Sequence, residues 1–297
     1  MTTTFLYAFI IMSIQKEIGN RENYPYYKMY YGALSLEISA IQVVFLVLIY
    51  MNIACSRMYD ASPVIQNYWR QFFSVLSDQS SVALYWIVHT GTITELWDRS
   101  DLGATFMCGR PFSLAGAKHR ILGAPVPING SKPEYCTYYL VSANDKAQRL
   151  EDVLEYRIGW LPEHSQSGFA GPRKDLQRRF GAIAYNEKVK SFETPRDCLA
   201  ALANGEVDMV PIDSYYFDLL RRHDEDARTA FRIIGATAAS PIPLLVARPS
   251  MPDELFGRLV TALLSLEPDD GLTNLGLSSF VSVSPSTYLS AYMTAPQ

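Results

Sequence analysis

The segment 162–173, "PEHSQSGFAGPR", follows directly on the apolar run "YRIGWL" (156–161) and places Ser165, Gln166, Ser167 and Gly168 in consecutive positions. A short apolar run ending in a Ser/Gly cluster reads as a strand that delivers the chain into a turn. If Ser167 caps a helix beginning at Gly168, the first backbone N–H groups of that helix have no intrahelical partner and point outward at the positive end of its dipole. An oxyanion is favoured there without any lysine. Ser165 and Ser167 would each offer a hydroxyl, and Gly168 would let a ligand approach the backbone. Pro172 interferes, because a proline beyond the first turn removes a helical hydrogen bond. The helix therefore starts irregularly, or begins only near Gly171. On these residues alone a capped turn and an anion cradle are both open.

Outward from this segment, short apolar runs alternate with amphipathic stretches, the pattern of an α/β chain. The runs "NIACSRMY" (52–59), "VALYWIVH" (82–89), "LGATFMC" (102–108), "YCTYYLVS" (135–142), "VDMVPI" (207–212) and "FRIIGA" (231–236) read as strands. Ser62 and Pro63 supply an N-cap and a first-turn proline. Val64, Ile65, Tyr68, Trp69, Phe72, Phe73 and Leu76 then fall on one helical face. A short helix is expected around 93–97. Thr194 with Asp197 three residues on is a second helix start, and Gly205 is placed to end that helix. The segments "SYYFDLLRRH" (214–223) and 252–266 read as further amphipathic helices.

The chain has 297 residues, 48% of them hydrophobic and 19% charged, enough for one large domain or two of ordinary size. A net charge of −4 gives no case for nucleic-acid binding through counterion release. Cys55, Cys108, Cys136 and Cys198 are widely spaced, with no C-x-x-C pair, which argues against a zinc or redox motif and leaves disulfide pairing undecided.

The first fifty residues differ from the rest. The run 38–55, "ISAIQVVFLVLIYMNIAC", has no charge over about the minimum length of a membrane span. It is readable as a membrane anchor or uncleaved signal, as a cleaved secretory segment, as a buried element, or as the product of a start placed too far upstream. A basic flank is thin, with Lys28 nearby.

Catalytic signatures are weak. His89, His119, His164 and His223 are scattered, without H-E-x-x-H spacing. "HSQSG" is not a nucleophile elbow, since Glu163 stands where the first glycine of G-x-S-x-G belongs. Neither a phosphate-binding P-loop nor G-x-G-x-x-G is present, and no cofactor is expected. The absence of such signatures weighs against an enzyme.

Residues 156–176 resemble the phosphate/phosphonate-type substrate-binding proteins of ABC importers, in which a strand leads into S-x-S-G-[FY]-x-x-P. Other segments follow in the same order: "MYD" (58–60), "DLGATFMCGRP" (101–111), "CLAALANGEVDMVPIDSYYFDLL" (198–220) and "ASPIPLLVA" (239–247). The likeness covers roughly 52–287.

The resemblance implies a two-lobed type II periplasmic-binding-protein fold, each lobe a sheet flanked by helices. It assigns 52–142 plus 237–297 to one lobe and 143–236 to the other, with crossings near Ser142 and Ala236; 1–51 stand outside as an extension. By position, Tyr59, Cys108 and Gly109 would line the first lobe, Ser165, Gln166, Ser167, Gly168 and Asp213 the second, and Ser240 the crossover. Tyr59 and Cys108 are also readable as plain packing, and Asp213 as a cap for the helix at Ser214.

The expected partners are a small anion and an ABC permease, outside the cytoplasm, with membrane association through 38–55. Three departures bear on the ligand. Pro195 stands where phosphonate binders of this kind carry a histidine, and Cys108 where they tend to carry a tyrosine. Nor does "SPIPLLVA" contain the acid that would suit an amino group. Phosphate, phosphite or another small oxyanion fits better than an aminoalkylphosphonate. A membrane-tethered sensor of the same fold, or an enzyme reusing it, are the alternatives.

Overall fold

The structure, a computed structural model, describes residues 52–153, 155–181 and 189–293. The first part of the chain gives β1 (Asn52–Cys55), α1 (Pro63–Ser80), β2 (Leu84–Trp86), α2 (Ile93–Trp97), β3 (Leu102–Met107), α3 (Gly109–Leu114), β4 (Arg120–Pro127) and β5 (Glu134–Tyr135). Next come β6 (Thr137–Ser142), β7 (Ile158–Trp160), a wide turn over Gln166–Ala170 that continues into α4 (Gly171–Phe180), β8 (Val189–Ser191), α5 (Pro195–Ala203), β9 (Val210–Asp213), α6 (Ser214–His223), α7 (Glu225–Ala230) and β10 (Phe231–Ala236). The chain closes with β11 (Ser240–Pro241), β12 (Leu244–Ala247), α8 (Asp253–Leu264), β13 (Leu277–Val281) and α9 (Pro285–Met293).

Two principal sheets result. The larger has the order β13-β4-β12-β3-β1-β2 and the smaller the order β10-β6-β9. In the larger sheet β1 runs parallel to β2 and β3, whereas β12 and β13 enter antiparallel. This is what a chain that leaves the sheet and later returns to it produces. A parallel pair, β7 with β8, joins the smaller sheet through a bridge between Ile158 and Met209. A short antiparallel ladder, Ser240 with Tyr135 and Pro241 with Glu134, ties the outgoing and returning segments together.

Pairing also corrects the expected division of the chain. Thr137–Ser142 pairs with β9 on one side and β10 on the other. The chain thus changes sheets at Cys136, between β5 and β6, not at Ser142. Nothing in the run "YCTYYLVS" marks that break, because its alternating apolar and polar residues suit either sheet.

The helix faces are those the periodicity requires. Ser62 accepts the Ile65 N–H at 3.3 Å and caps α1, and Trp69, Phe72, Phe73 and Leu76 are fully buried. Trp69 also donates its indole N–H to the Tyr59 carbonyl at 3.2 Å, which pins the turn after β1 to α1. The apolar core is continuous across the two sheets. Tyr59 makes edge-on ring contacts with Phe106 of β3 and with Tyr215 of α6, each at 4.8 Å between centroids.

The apolar run 38–55 ends inside the fold. Asn52–Cys55 is a wholly buried strand, so those residues are not part of a membrane span. The remainder, 38–51, lies outside the described residues. Among the described residues no helix is long and apolar enough to cross a membrane. All four cysteines are free thiols.

Candidate functional site

A cavity of about 290 Å³ lies between the two sheets. The strand ends and helix starts around it decide its chemistry. From the larger sheet it receives Arg57 and Met58 after β1, Thr92, Thr94 and Trp97 at α2, and Cys108 at the end of β3. From the other side come Leu161, His164, Ser165 and Ser167 after β7, Glu193 and Pro195 at the start of α5, and Asp213 and Tyr216 at the start of α6.

The quoted segment folds as its proline demands. Residues Gln166–Ala170 form one wide helical turn, and regular α-helix begins at Gly171 with Pro172 in its first turn. The cap is not the serine expected. Ser165 Oγ accepts the Gly168 N–H at 3.1 Å, so Ser165, not Ser167, closes the helix start. The Ser167 side chain is thereby left out of the cap and lines the cavity, with the residue 4% exposed. The Ser167 carbonyl accepts the Thr137 hydroxyl at 3.0 Å, which fixes the turn to β6. Gly168 is required by close packing: a Cβ there would stand 2.4–2.5 Å from the Leu161 side chain.

Asp213 combines both roles open to it. It caps α6, its Oδ1 accepting the Tyr216 N–H at 3.0 Å, and it lines the cavity. Burial pushes its pKa up to about 7; bonds from the Tyr216 and Tyr215 backbones and from Tyr59 oppose that shift without cancelling it. Near neutral pH the group is therefore poised between acid and carboxylate.

Cys108 lies on the opposite wall. Burial, with Asp213 adding to it, pushes its thiol up to about 12, while the Gln166 backbone N–H works against the shift. It is a neutral thiol facing the helix turn, not a nucleophile. Burial lowers the pKa of His164, whose ring meets Trp97 edge-on at 5.9 Å. Its neutral form is a polar wall rather than a fixed cation.

Of the expected site residues, the cavity thus brings together Cys108, Ser165, Ser167 and Asp213. Tyr59 lies just behind it, 1% exposed, its hydroxyl 3.4 Å from Asp213 Oδ2. Gly109 is packed against the rings of Tyr288 and Tyr292, and Gly168 against Leu161. Gln166 and Ser240 line a separate pocket near the β5–β11 ladder.

Sequence reasoning missed Arg57, Thr92, Thr94, Trp97, His164 and Glu193. His164 adjoins the serine motif and Arg57 precedes "MYD" by one residue, so proximity to the motifs was the available signal. Arg57 is the cation of the cavity wall, and its Nε is buried with no hydrogen-bond partner among the described residues. Among the described residues no group of three or more His, Cys, Asp or Glu side chains could hold a metal ion.

Residues 61–288 match the family described as "ABC transporter, phosphonate, periplasmic substrate-binding protein". The chain belongs to this phosphonate-binding family. Members are the substrate-binding components of transporters, not enzymes, and they work outside the cytoplasm. Solved structures with the same fold include a binding-protein component of an ABC phosphonate transporter from Pseudomonas aeruginosa, with a TM-score of 0.68 at 18% identity over 81% of this chain and 83% of that one. A Prochlorococcus marinus protein in complex with methylphosphonate gives a TM-score of 0.69 at 13% identity, over 80% and 94%. The arginine-, lysine-, histidine-binding protein of Geobacillus stearothermophilus gives 0.51 at 11%, over 83% and 96%. Among curated proteins no sequence relative is found. The phosphonate-binding family member described here has the two-lobed fold of type II periplasmic binding proteins. Its cavity lies among the strand ends and helix starts of the two sheets.

Proposed function

We propose that the chain captures a small solute bearing an oxyanion, of the phosphate, phosphite or phosphonate kind, in the 290 Å³ cavity and passes it to an ABC permease. The observation that carries this reading is the placement of Arg57, with its unpartnered Nε, on one wall and the Ser165–Ser167 turn on the other. A buried guanidinium nitrogen without an acceptor is costly unless something supplies one, and an oxyanion does so with a charge-assisted bond. Ser167 and the start of the helix add donors from the opposite side. Asp213 does not forbid an anion, because its pKa of about 7 lets it stand protonated and donate a hydrogen bond.

In this reading the larger sheet with its helices forms one lobe and the β10-β6-β9 sheet the other, joined by chain crossings at 128–136 and 237–239. Closure about such crossings buries a ligand, as in other two-lobed binding proteins. The extension before Asn52 serves export or tethering.

Titration of the intact chain with phosphate, phosphite, methylphosphonate and sulfate, read as thermal stabilisation, tests this. A ligand at 100 times its Kd should add about 2.7 kcal/mol. Arg57→Gln should weaken that ligand at least ~10-fold. If none of the four stabilises the fold while a neutral or cationic solute does, the oxyanion reading is wrong.

A further inference from the structure

A second pocket, of about 380 Å³, opens between the β5–β11 ladder, the start of α4 and the helix α9. It shares no lining residue with the cavity between the lobes. Its walls include Arg110, Tyr135, Gln166, Lys174 and Ser240.

One of these residues presents a buried polar atom that nothing among the described residues satisfies. Arg110 Nε is buried without a hydrogen-bond partner, whereas the hydroxyl of Tyr135 beside it is engaged by the Ser167 and Tyr292 side chains. Unsatisfied groups of this kind are uncommon in native folds and call for an acceptor. Arg110 and Lys174 make no ion pair among the described residues. The carboxylate in the wall is already neutralised: Asp175 accepts from Arg178 and Arg179 at 2.9 Å each and from the Tyr139 hydroxyl at 3.0 Å. Arg110 and Lys174 are thus left as uncompensated positive charge around a concave space of ordinary small-ligand size.

We infer that this pocket is a second binding site, specific for a phosphate-type oxyanion. Arg110 donates to it from the buried floor, and Lys174 provides charge at the mouth. The pocket is bordered by the β5–β11 ladder that links the two sheets, so an anion held there bears on the crossing segments as well as on α4. The inference does not depend on the oxyanion reading of the cavity between the lobes.

Equilibrium dialysis of the intact chain against radiolabelled inorganic phosphate, at low and at physiological salt, tests it. Arg110→Gln should weaken one class of phosphate site at least ~10-fold. Lys174→Gln, a change at an exposed residue that leaves folding unaffected, should weaken the same class about 3-fold at low salt, with the difference shrinking as salt screens the charge. Arg57→Gln should leave this class in place, whatever it does to the other. If Arg110→Gln and Lys174→Gln both bind phosphate as the parent does, the second site does not exist. The same follows if Arg57→Gln alone abolishes all phosphate binding.

Discussion

The hydroxyl of Tyr59 stands 3.4 Å from Oδ2 of Asp213, and the two residues lie at or just beyond the ends of strands in different sheets. Tyr59 is held on the side of the larger sheet by Trp69 and Phe106, while Asp213 is the last residue of β9 and the cap of α6. The contact thus ties the two sheets together, and in a two-lobed binding protein it would form on closure. At this length it is a weak bond, and Tyr59→Phe should lower stability by about 0.5–1.5 kcal/mol. The larger effect should be on closure, with the ligand-free chain becoming more open. Small-angle scattering of parent and variant without ligand checks this; identical radii would rule the contact out as a latch.

The pKa of Asp213 also makes stability depend on pH. In the folded chain it is about 7, against an ordinary value of 3.8. Between those values the folded protein holds a proton that the unfolded chain has released. Stability contributed through Asp213 therefore falls as pH rises from about 4 to about 7, and is level above that. Asp213→Asn keeps a capping oxygen but cannot titrate. Denaturant unfolding at pH 5 and pH 7.5 should show the parent losing more stability than the variant between the two conditions. Equal losses would mean that Asp213 titrates normally.

Ligand binding gives the same group a second readout. An anion meets a neutral Asp213 below about pH 7 and a carboxylate above it, so its affinity should weaken as pH rises through that value. Calorimetry at pH 6 and pH 8 with phosphate analogues whose own charge is constant over the range, such as sulfate, isolates the contribution of the protein. A tighter complex at pH 8 would point to a cationic ligand group beside Asp213.

Much of this was legible in sequence because the signals were local. Ser62 with Pro63, Thr194 with Asp197, and the apolar face from Ile65 to Leu76 each fix a helix through residues a few positions apart. The strand β4 was not found, since "RILGAPVP" contains a glycine and two prolines and so reads as loop. It nonetheless lies inside the larger sheet, between β12 and β13, with Pro125 opposite Phe280. The site was legible in part for a similar reason. The serine segment and Asp213 announce themselves as helix starts, but Arg57 and His164 acquire their roles only from groups far away in sequence. Which serine caps the turn depended on the width of that turn, which no residue spacing encodes.

Gly168 offers a direct test of the packing behind the serine turn. Its carbonyl accepts the Leu161 N–H at 3.0 Å, and a Cβ would meet Leu161 Cβ, Cγ and Cδ1 at 2.4–2.5 Å. Leu161 is buried and tethered by that same bond, so it cannot swing aside. Gly168→Ala should cost about 1–3 kcal/mol, the usual range for overpacking, which the unfolding midpoint measures. A change within 0.5 kcal/mol would show that the turn yields readily.

Ser165 and Ser167 separate the turn from the cradle. Ser165 Oγ holds the Gly168 N–H at 3.1 Å, so Ser165→Ala removes the cap and should lower stability by about 0.5–2 kcal/mol. Ser167 has no part in the cap. Its hydroxyl lines the cavity between the two sheets and touches the buried Tyr135 hydroxyl, so Ser167→Ala should cost about 0.5–1.5 kcal/mol of stability at most. Its main effect should fall on affinity: a hydrogen bond to a charged group contributes about 1.5–3 kcal/mol, hence a roughly 10- to 150-fold weaker complex. Ser165→Ala also weakens binding, but through a loosened turn, so lower temperature or a stabilising osmolyte should recover part of it. Ser167→Ala offers no such recovery, because its donor is gone. Unfolding and calorimetric titrations on both variants decide between the two roles. A Ser167→Ala protein that binds an oxyanion as tightly as the parent would leave the segment 162–173 as a capped turn and nothing more.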